Sequence, residues 1–293
     1  VSICSPSAGS VSHPVAGPRS LVRIRDFEVS RFIVGHNPVC GCSHLSAEVD
    51  AQMREYYNKD TVLSLYFNAE KLGLRTLLIR GDYRMLDWIE NYRRKGGTMD
   101  IISQTASEMH DVFQNIRVLA AFGVKAVYHH GTQTDKFWAA GQIDKVNDYL
   151  KCMRDCGVAV GMATHQPEII EYAEEKGWDI DFYMACFYNI SRRPRESSLV
   201  SGRAAYEGEE YLAGDRELMC KTIRQVKKTC LGFKILAAGR NCTTQDDVKA
   251  AFRYAYANVK PTDSLVIGLF QRDMDQLATN LVYAEEACRG AKA

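Results

Sequence analysis

The chain lacks the charge bias that would commit it to a charged partner: 37 basic and 36 acidic residues leave a formal net charge of +1. With no basic stripe, no nucleic-acid or anionic-membrane partner is expected. Long apolar runs are missing as well, and none approaches the roughly 20 residues that cross a bilayer. The paired C-x₂-C spacing of structural zinc sites is also absent. What the chain does have is ten cysteines. Cys40 and Cys42 form a C-x-C, and Cys152 and Cys156 lie four apart on an expected helix. Most of the others sit in apolar periodic segments, where cysteine behaves as a small hydrophobe. A chain of 293 residues can bury a large core without disulfide staples, so reduced thiols and a cytoplasmic setting are expected.

Residues 1–20 are rich in Ser, Gly, Pro and Val without periodicity, which predicts a flexible arm ahead of one domain spanning 21–293. The chain begins at Val1 rather than Met, so secretion after processing stays open beside the cytoplasmic reading.

Within the domain, short β-rich runs alternate with helical patterns, the signature of a parallel sheet built from βα units. Eight runs can be counted: 31–34, 75–79, 100–103, 125–128, 158–163, 181–186, 233–237 and 264–267. Eight is the number that closes a (β/α)₈ barrel, the TIM-barrel fold. The glycine fingerprint of a doubly wound dinucleotide-binding sheet is missing after the first run, where Gly35-His36-Asn37-Pro38 stands instead. Helix signals fit between the strands. Pro167 suits a first helical position, Thr244 with Asp247 resembles a capping box, and the helix before the second strand breaks around Asn58.

In such a barrel the interior is packed, and only the rim at the strand C-termini is open for chemistry. His36, Asp82, Gln104, His130, His165, Asn189 and Arg240 are all placed there. Of seven histidines, His36, His129, His130 and His165 fall at strand ends. Only one of the neighbours His129 and His130 can face the pocket, because successive strand residues point to opposite faces. His130 and His165 are candidate acid–base groups, with Asp82 to orient or charge them. His36, His130 and His165 with Glu168 form a candidate set for a divalent metal. His36, Asn37, Gln104, Asn189 and Arg240 suit the binding of substrate oxygens. Gly239-Arg240 and Gly268 lie where barrels bind phosphate. Lys234 stands early in an apolar run. Two places are open to it: the foot of the barrel, or its interior, where a lowered pKa would allow a Schiff base with a carbonyl substrate. The sixth loop, residues 191–214, is long enough to be a lid or an interface.

The run from Val29 to Gly35, the run from Ala126 to His130-Gly131, the run from Gly157 to Ile170 and the stretch from Asp181 to Asn189 together resemble the aldo-keto reductases. That resemblance implies a TIM barrel with NADP-dependent carbonyl reduction, using an Asp and a Tyr after the second strand, a Lys after the third and a His after the fourth. Here the Asp falls on Asp82 and the His on His130. Gln104 stands at the Lys position. The Tyr spacing lands near Asp87, with Tyr83 close by.

The expectation is a non-redox enzyme of lyase, isomerase or hydrolase type on a small sugar or hydroxy-carbonyl substrate, working by His/Asp acid–base catalysis. An NADP-dependent reductase and a ligand-binding barrel without turnover are the alternatives.

Overall fold

The computed structural model describes residues 17–106, 111–204 and 206–290. Among the described residues ten strands are formed: β1 (Leu21–Ile24), β2 (Phe27–Ser30), β3 (Phe32–Val34), β4 (Thr76–Arg80), β5 (Asp100–Gln104), β6 (Ala126–His129), β7 (Ala159–Thr164), β8 (Phe182–Cys186), β9 (Thr229–Phe233) and β10 (Ser264–Ile267). β3 to β10 pair in sequence order and in parallel, and β10 returns to β3, closing an eight-stranded barrel. The helices among the described residues are α1 (Ala47–Tyr56), α2 (Lys59–Lys71), α3 (Tyr83–Arg94), α4 (Val112–Ala121), α5 (Gly131–Ala139), α6 (Asp144–Asp155), α7 (Pro167–Glu175), α8 (Ser198–Ser201), α9 (Ala213–Gln225), α10 (Gln245–Asn258) and α11 (Gln276–Gly290). None is long and apolar enough to cross a membrane.

The barrel strands are buried on both faces, as expected of a parallel sheet covered by helices. Alternation then sorts the side chains. Ile33, Leu78, Ile102, Tyr128, Phe182, Met184, Leu231 and Val266 fill the barrel, while Phe32, Leu77, Ile79, Val127 and Tyr183 pack outward against the helices. The same rule settles the histidine pair. His129 points outward, bonded through Nδ1 to Thr134 Oγ1 at 2.8 Å and stacked on Tyr149, whereas His130 turns to the barrel mouth.

The foot of the barrel is closed by an antiparallel hairpin, β1 with β2. Its Val22, Ile24, Phe27 and Val29 belong to the same buried cluster as the barrel interior. Residues 17–20, assigned by sequence to the flexible arm, are tied to the barrel. Phe32 N donates to Pro18 O at 2.9 Å and Arg19 Nε to Leu72 O at 2.6 Å. The rest of the expected arm, residues 1–16, lies outside the described residues. The Pro167 start, the Thr244–Asp247 capping box and the break at Asn58 are all present.

One strand is displaced from its expected place. The seventh barrel strand is Thr229–Phe233, four residues before the apolar run at 233–237. Beyond Phe233 that run forms a partly buried loop and the start of a 3-10 turn instead, with positive φ at Lys234 and Ala237, and at Ala238 just after it. The shift moves Lys234 from within the strand to the rim just past its end. No disulfide joins the described cysteines; all nine are free, and Cys4 lies outside the described residues.

Candidate active site

At the C-terminal mouth of the barrel lies a cavity of about 400 Å³. Its floor is apolar, from Leu78, Tyr128, Met184, Phe233 and Val266. Its polar lining comes from loops after five strands and from the sixth loop: His36, Asn37, His44, Gln104, His130, His165, Arg195 and Lys234.

Gly35 follows β3 directly, and any Cβ there would stand 2.9 Å from Val266 Cγ1 and 3.3 Å from Ile267 O. Only glycine lets the chain pass this close, and it delivers His36 to the cavity. Both ring nitrogens of His36 are buried without a hydrogen-bond partner. Burial, reinforced by Arg80, pushes its pKa down to about 3. His130 caps the N-terminus of α5, its backbone N–H donating to Thr105 Oγ1. Burial and then Arg80 hold it well below the usual histidine range. Gln104 offers an unpartnered Nε2 to the same space.

His165 follows β7 directly, and α5 places Asp135 against it. His165 Nδ1 lies 2.6 Å from Asp135 Oδ2, and the same carboxylate accepts Ser191 Oγ at 2.6 Å and Thr164 Oγ1 at 2.6 Å. Burial works to raise Asp135, but the His165 ring and the two hydroxyls outweigh it and keep the group ionised. Burial lowers His165, with Asp135 opposing, so the ring is neutral near pH 7. With Nδ1 engaged by Asp135, Nε2 is the nitrogen left for a ligand.

Lys234 adds an amine. Its Nζ is buried and has no hydrogen-bond partner. Burial lowers its pKa, against the opposing pull of Cys186, Glu209 and Cys42. A residue at φ 60° is uncommon outside glycine, and here that turn sends the side chain into the cavity wall.

The sixth loop lies over this mouth. Ser191 bonds Asp135, Arg195 bonds Thr132 Oγ1 and Glu209 Oε1, and Ser197 and Leu199 line the cavity. Asp215 anchors the loop from α9 by accepting Asn189 N–H and pairing with Arg192.

Several expected site residues are placed elsewhere. Asp82 caps α3 through Met85 N and pairs with Arg80 at 2.8 Å; the carboxylate beside His165 is Asp135. Asp82 is absent from the cavity lining, and so are Asn189 and Arg240. Asn189 Oδ1 accepts Ser191 N in the loop turn. Arg240 donates through Nη1 to His44 O and Ala237 O and lies over the Tyr211 ring, outside the cavity lining. Glu168 is exposed at the start of α7. Among the described residues no three His, Cys, Asp or Glu side chains are placed to hold a metal ion, so His36, His130, His165 and Glu168 are not gathered as a ligand set. Sequence reasoning missed Asp135, Arg195, Glu209, Cys42 and His44. The first three lie within helices or the long loop, and nothing in their local pattern marks them. Cys42 and His44 carried a signal, a Cys-x-His in the loop after the first barrel strand, which was read only as part of a C-x-C.

No family model matches the chain, and no curated protein matches it. Solved structures do. An aldo-keto reductase from Bacillus halodurans matches with a TM-score of 0.55 at 11% identity, covering 92% of this chain and 94% of that one. A glycerol dehydrogenase from Gluconobacter oxydans matches at 0.52 and 10% identity, covering 93% and 95%. A Yersinia pestis DHPS reaches 0.50 at 10% identity, covering 93% and 98%. At such identities the likeness is one of scaffold: the chain shares the closed eight-stranded α/β barrel of these proteins.

Proposed function

We propose that this chain is a non-redox enzyme acting on a small hydroxy-carbonyl compound such as an open-chain sugar. Lys234 takes up the carbonyl, and His165, held by Asp135, moves protons. The observation that carries this reading is the meeting of a buried, unpartnered Lys234 Nζ with a carboxylate-held neutral histidine in one cavity. A neutral amine is a nucleophile, and a site that disfavours the ammonium form raises its neutral fraction.

In this mechanism Nζ attacks the carbonyl carbon, a C–N bond forms, and the oxygen leaves as water with a proton supplied through His165. The resulting cationic imine draws in electrons: His165 as base takes the neighbouring C–H proton in isomerase fashion, or the β-hydroxyl proton as the C–C bond breaks in lyase fashion. His130, His36 and Gln104 hold the hydroxyls of the substrate, and Asn37 lies on the same wall. The apolar floor keeps bulk water from the imine.

Borohydride reduction in the presence of a panel of keto- and aldo-sugars tests this directly. The expected result is a stable adduct on the peptide containing Lys234, lost in Lys234→Met. Adducts scattered over surface lysines, with none at Lys234, sink the proposal. The scaffold likeness to reductases favours a second reading, NADP-dependent carbonyl reduction. A saturable fluorescence change with NADPH, followed by its oxidation on adding an aldehyde, selects that reading.

A further inference from the structure

A second cluster of reactive side chains lines the same cavity close to Lys234, and the mechanism above does not use it. Cys42 and His44 are two residues apart in the loop between β3 and α1, and both line the cavity. Cys42 Sγ lies 2.9 Å from Ser198 Oγ and 3.7 Å from Tyr206 OH, and the Tyr206 and His44 rings are 5.1 Å apart. Behind His44, Nδ1 meets both carboxylate oxygens of Glu209 at 3.0 Å. Glu209 is itself fixed by Arg195 at 3.1 Å and by Tyr211 OH at 3.0 Å, and its side chain is buried.

We propose that Cys42, His44 and Glu209 form a second reactive centre: a thiol nucleophile with its own base and orienting carboxylate, suited to take an acyl group from a small ester or thioester. The order of parts is that of an activated nucleophile, in which the base is oriented by a third group. His44 and Lys234 act on the thiol and Cys40 lies nearby; His44 Nε2 lies 3.4 Å from Asn37 Nδ2, and Asp50 accepts from Tyr206 OH at 2.7 Å. The electrostatics agree with the geometry. Burial works to raise the Cys42 thiol, but His44 and Lys234 outweigh it and bring it down to about 7. Burial works to lower His44, but Cys42 and Glu209 outweigh it and raise it. Cys42 is the one thiol among the described residues pushed downward. Cys40 and Cys186 are pushed up to about 12, and even the exposed Cys242 to about 11.

In the reaction, His44 takes the thiol proton, Sγ attacks the acyl carbon and a C–S bond forms. The C–O bond to the alcohol breaks, and the leaving oxygen departs with the electron pair and takes a proton from His44. Water, deprotonated by His44, then attacks the thioester carbon. The acid is released and the thiol restored. This chemistry needs no oxidant or reductant.

The probe is p-nitrophenyl acetate with the full chain, read as nitrophenol release and by peptide mass spectrometry after acid quenching. One acetyl group on Cys42 per chain is expected, with the burst lost in Cys42→Ser and after alkylation by iodoacetamide. On unmodified protein at neutral pH, iodoacetamide should modify Cys42 on the order of tenfold faster than Cys242, because the thiolate is the nucleophile. In His44→Gln the rise in alkylation rate should move from near pH 7 towards the ordinary thiol range of about 8.5. Acetyl on Lys234 or surface lysines only, a burst that survives in folded Cys42→Ser, or Cys242 reacting first would each overturn the proposal. All of these results are read without a keto- or aldo-sugar, so they are distinguishable from the failure of the Lys234 imine.

Discussion

Asp135 accepts from three side chains besides capping no helix of its own, so its carboxylate is there for what it holds. Replacing it by Asn keeps the shape but removes the charge that fixes the His165 tautomer. The expected outcome for Asp135→Asn is a fall in turnover of about 10²–10⁴, the usual span for a mispositioned general base. The pH–rate profile of the variant on a substrate found by trapping checks it; an unchanged profile removes the dyad from the mechanism. His165, His130 and His36 were legible in the sequence because few histidines exist and these end strands. Asp135 was not legible, since it lies one turn into α5 and its partners come from the end of β7, from His165 just past it and from the sixth loop. Asp82 misled for the opposite reason: a carboxylate just past a strand end is also where a helix needs its N-cap, and that need prevailed.

At the scale of elements, two places carry the packing. Gly161 lies inside β7, and a Cβ there would stand 2.3 Å from the buried Phe182 ring. Gly161→Ala should therefore destabilise by about 1–3 kcal/mol through overpacking, read as a lower urea midpoint with an unchanged slope. The hairpin of β1 and β2 plugs the foot of the barrel, and Ile24 within it is 1% exposed. Ile24→Ala should cost about 2–5 kcal/mol, as cavities in large cores do, although the residue is far from the active-site mouth. A loss below about 0.5 kcal/mol, the range of surface substitutions, would mean that the hairpin does not support the barrel. The hairpin escaped the sequence reading because four-residue strands hold little periodicity. The seventh strand was misplaced because Ile235, Leu236, Ala237 and Ala238 are more evenly apolar than Thr229 to Phe233, yet the chain folds them as a turn against the mouth.

For the whole molecule, the buried histidines set the response to acid. His36 and His129 are lowered to about 3, and His130 and His165 are lowered as well, in each case first by burial. Below about pH 6.5 the unfolded chain binds protons that the folded chain refuses, so stability is full above that value and falls as pH drops towards 3. Each such group contributes up to about 1.4 kcal/mol per pH unit. His44 has the opposite sign. Its raised pKa gives stability that is present below its unfolded value and lost as pH rises through the folded one. Four groups against one predict a lower urea midpoint at pH 5.5 than at pH 7.5, before the carboxylates begin to titrate. An equal or higher midpoint at pH 5.5 would contradict the burial of these rings.

The sequence by itself determined the barrel, because eight apolar runs spaced by helical patterns leave a parallel sheet little else to do than close. It also determined where chemistry would sit, because a packed interior leaves polar strand-end residues a single open rim. Tertiary structure alone decided which of those residues share a cavity. Helix capping drew Asp82 away, backbone carbonyls drew Arg240 away, and a left-handed turn after β9 brought Lys234 in. Partners such as Asp135 to His165, or Glu209 to His44, lie 30 and 165 residues apart. Their meeting is a property of the closed barrel, in which neighbours in space are set by strand order and loop path rather than by any local pattern.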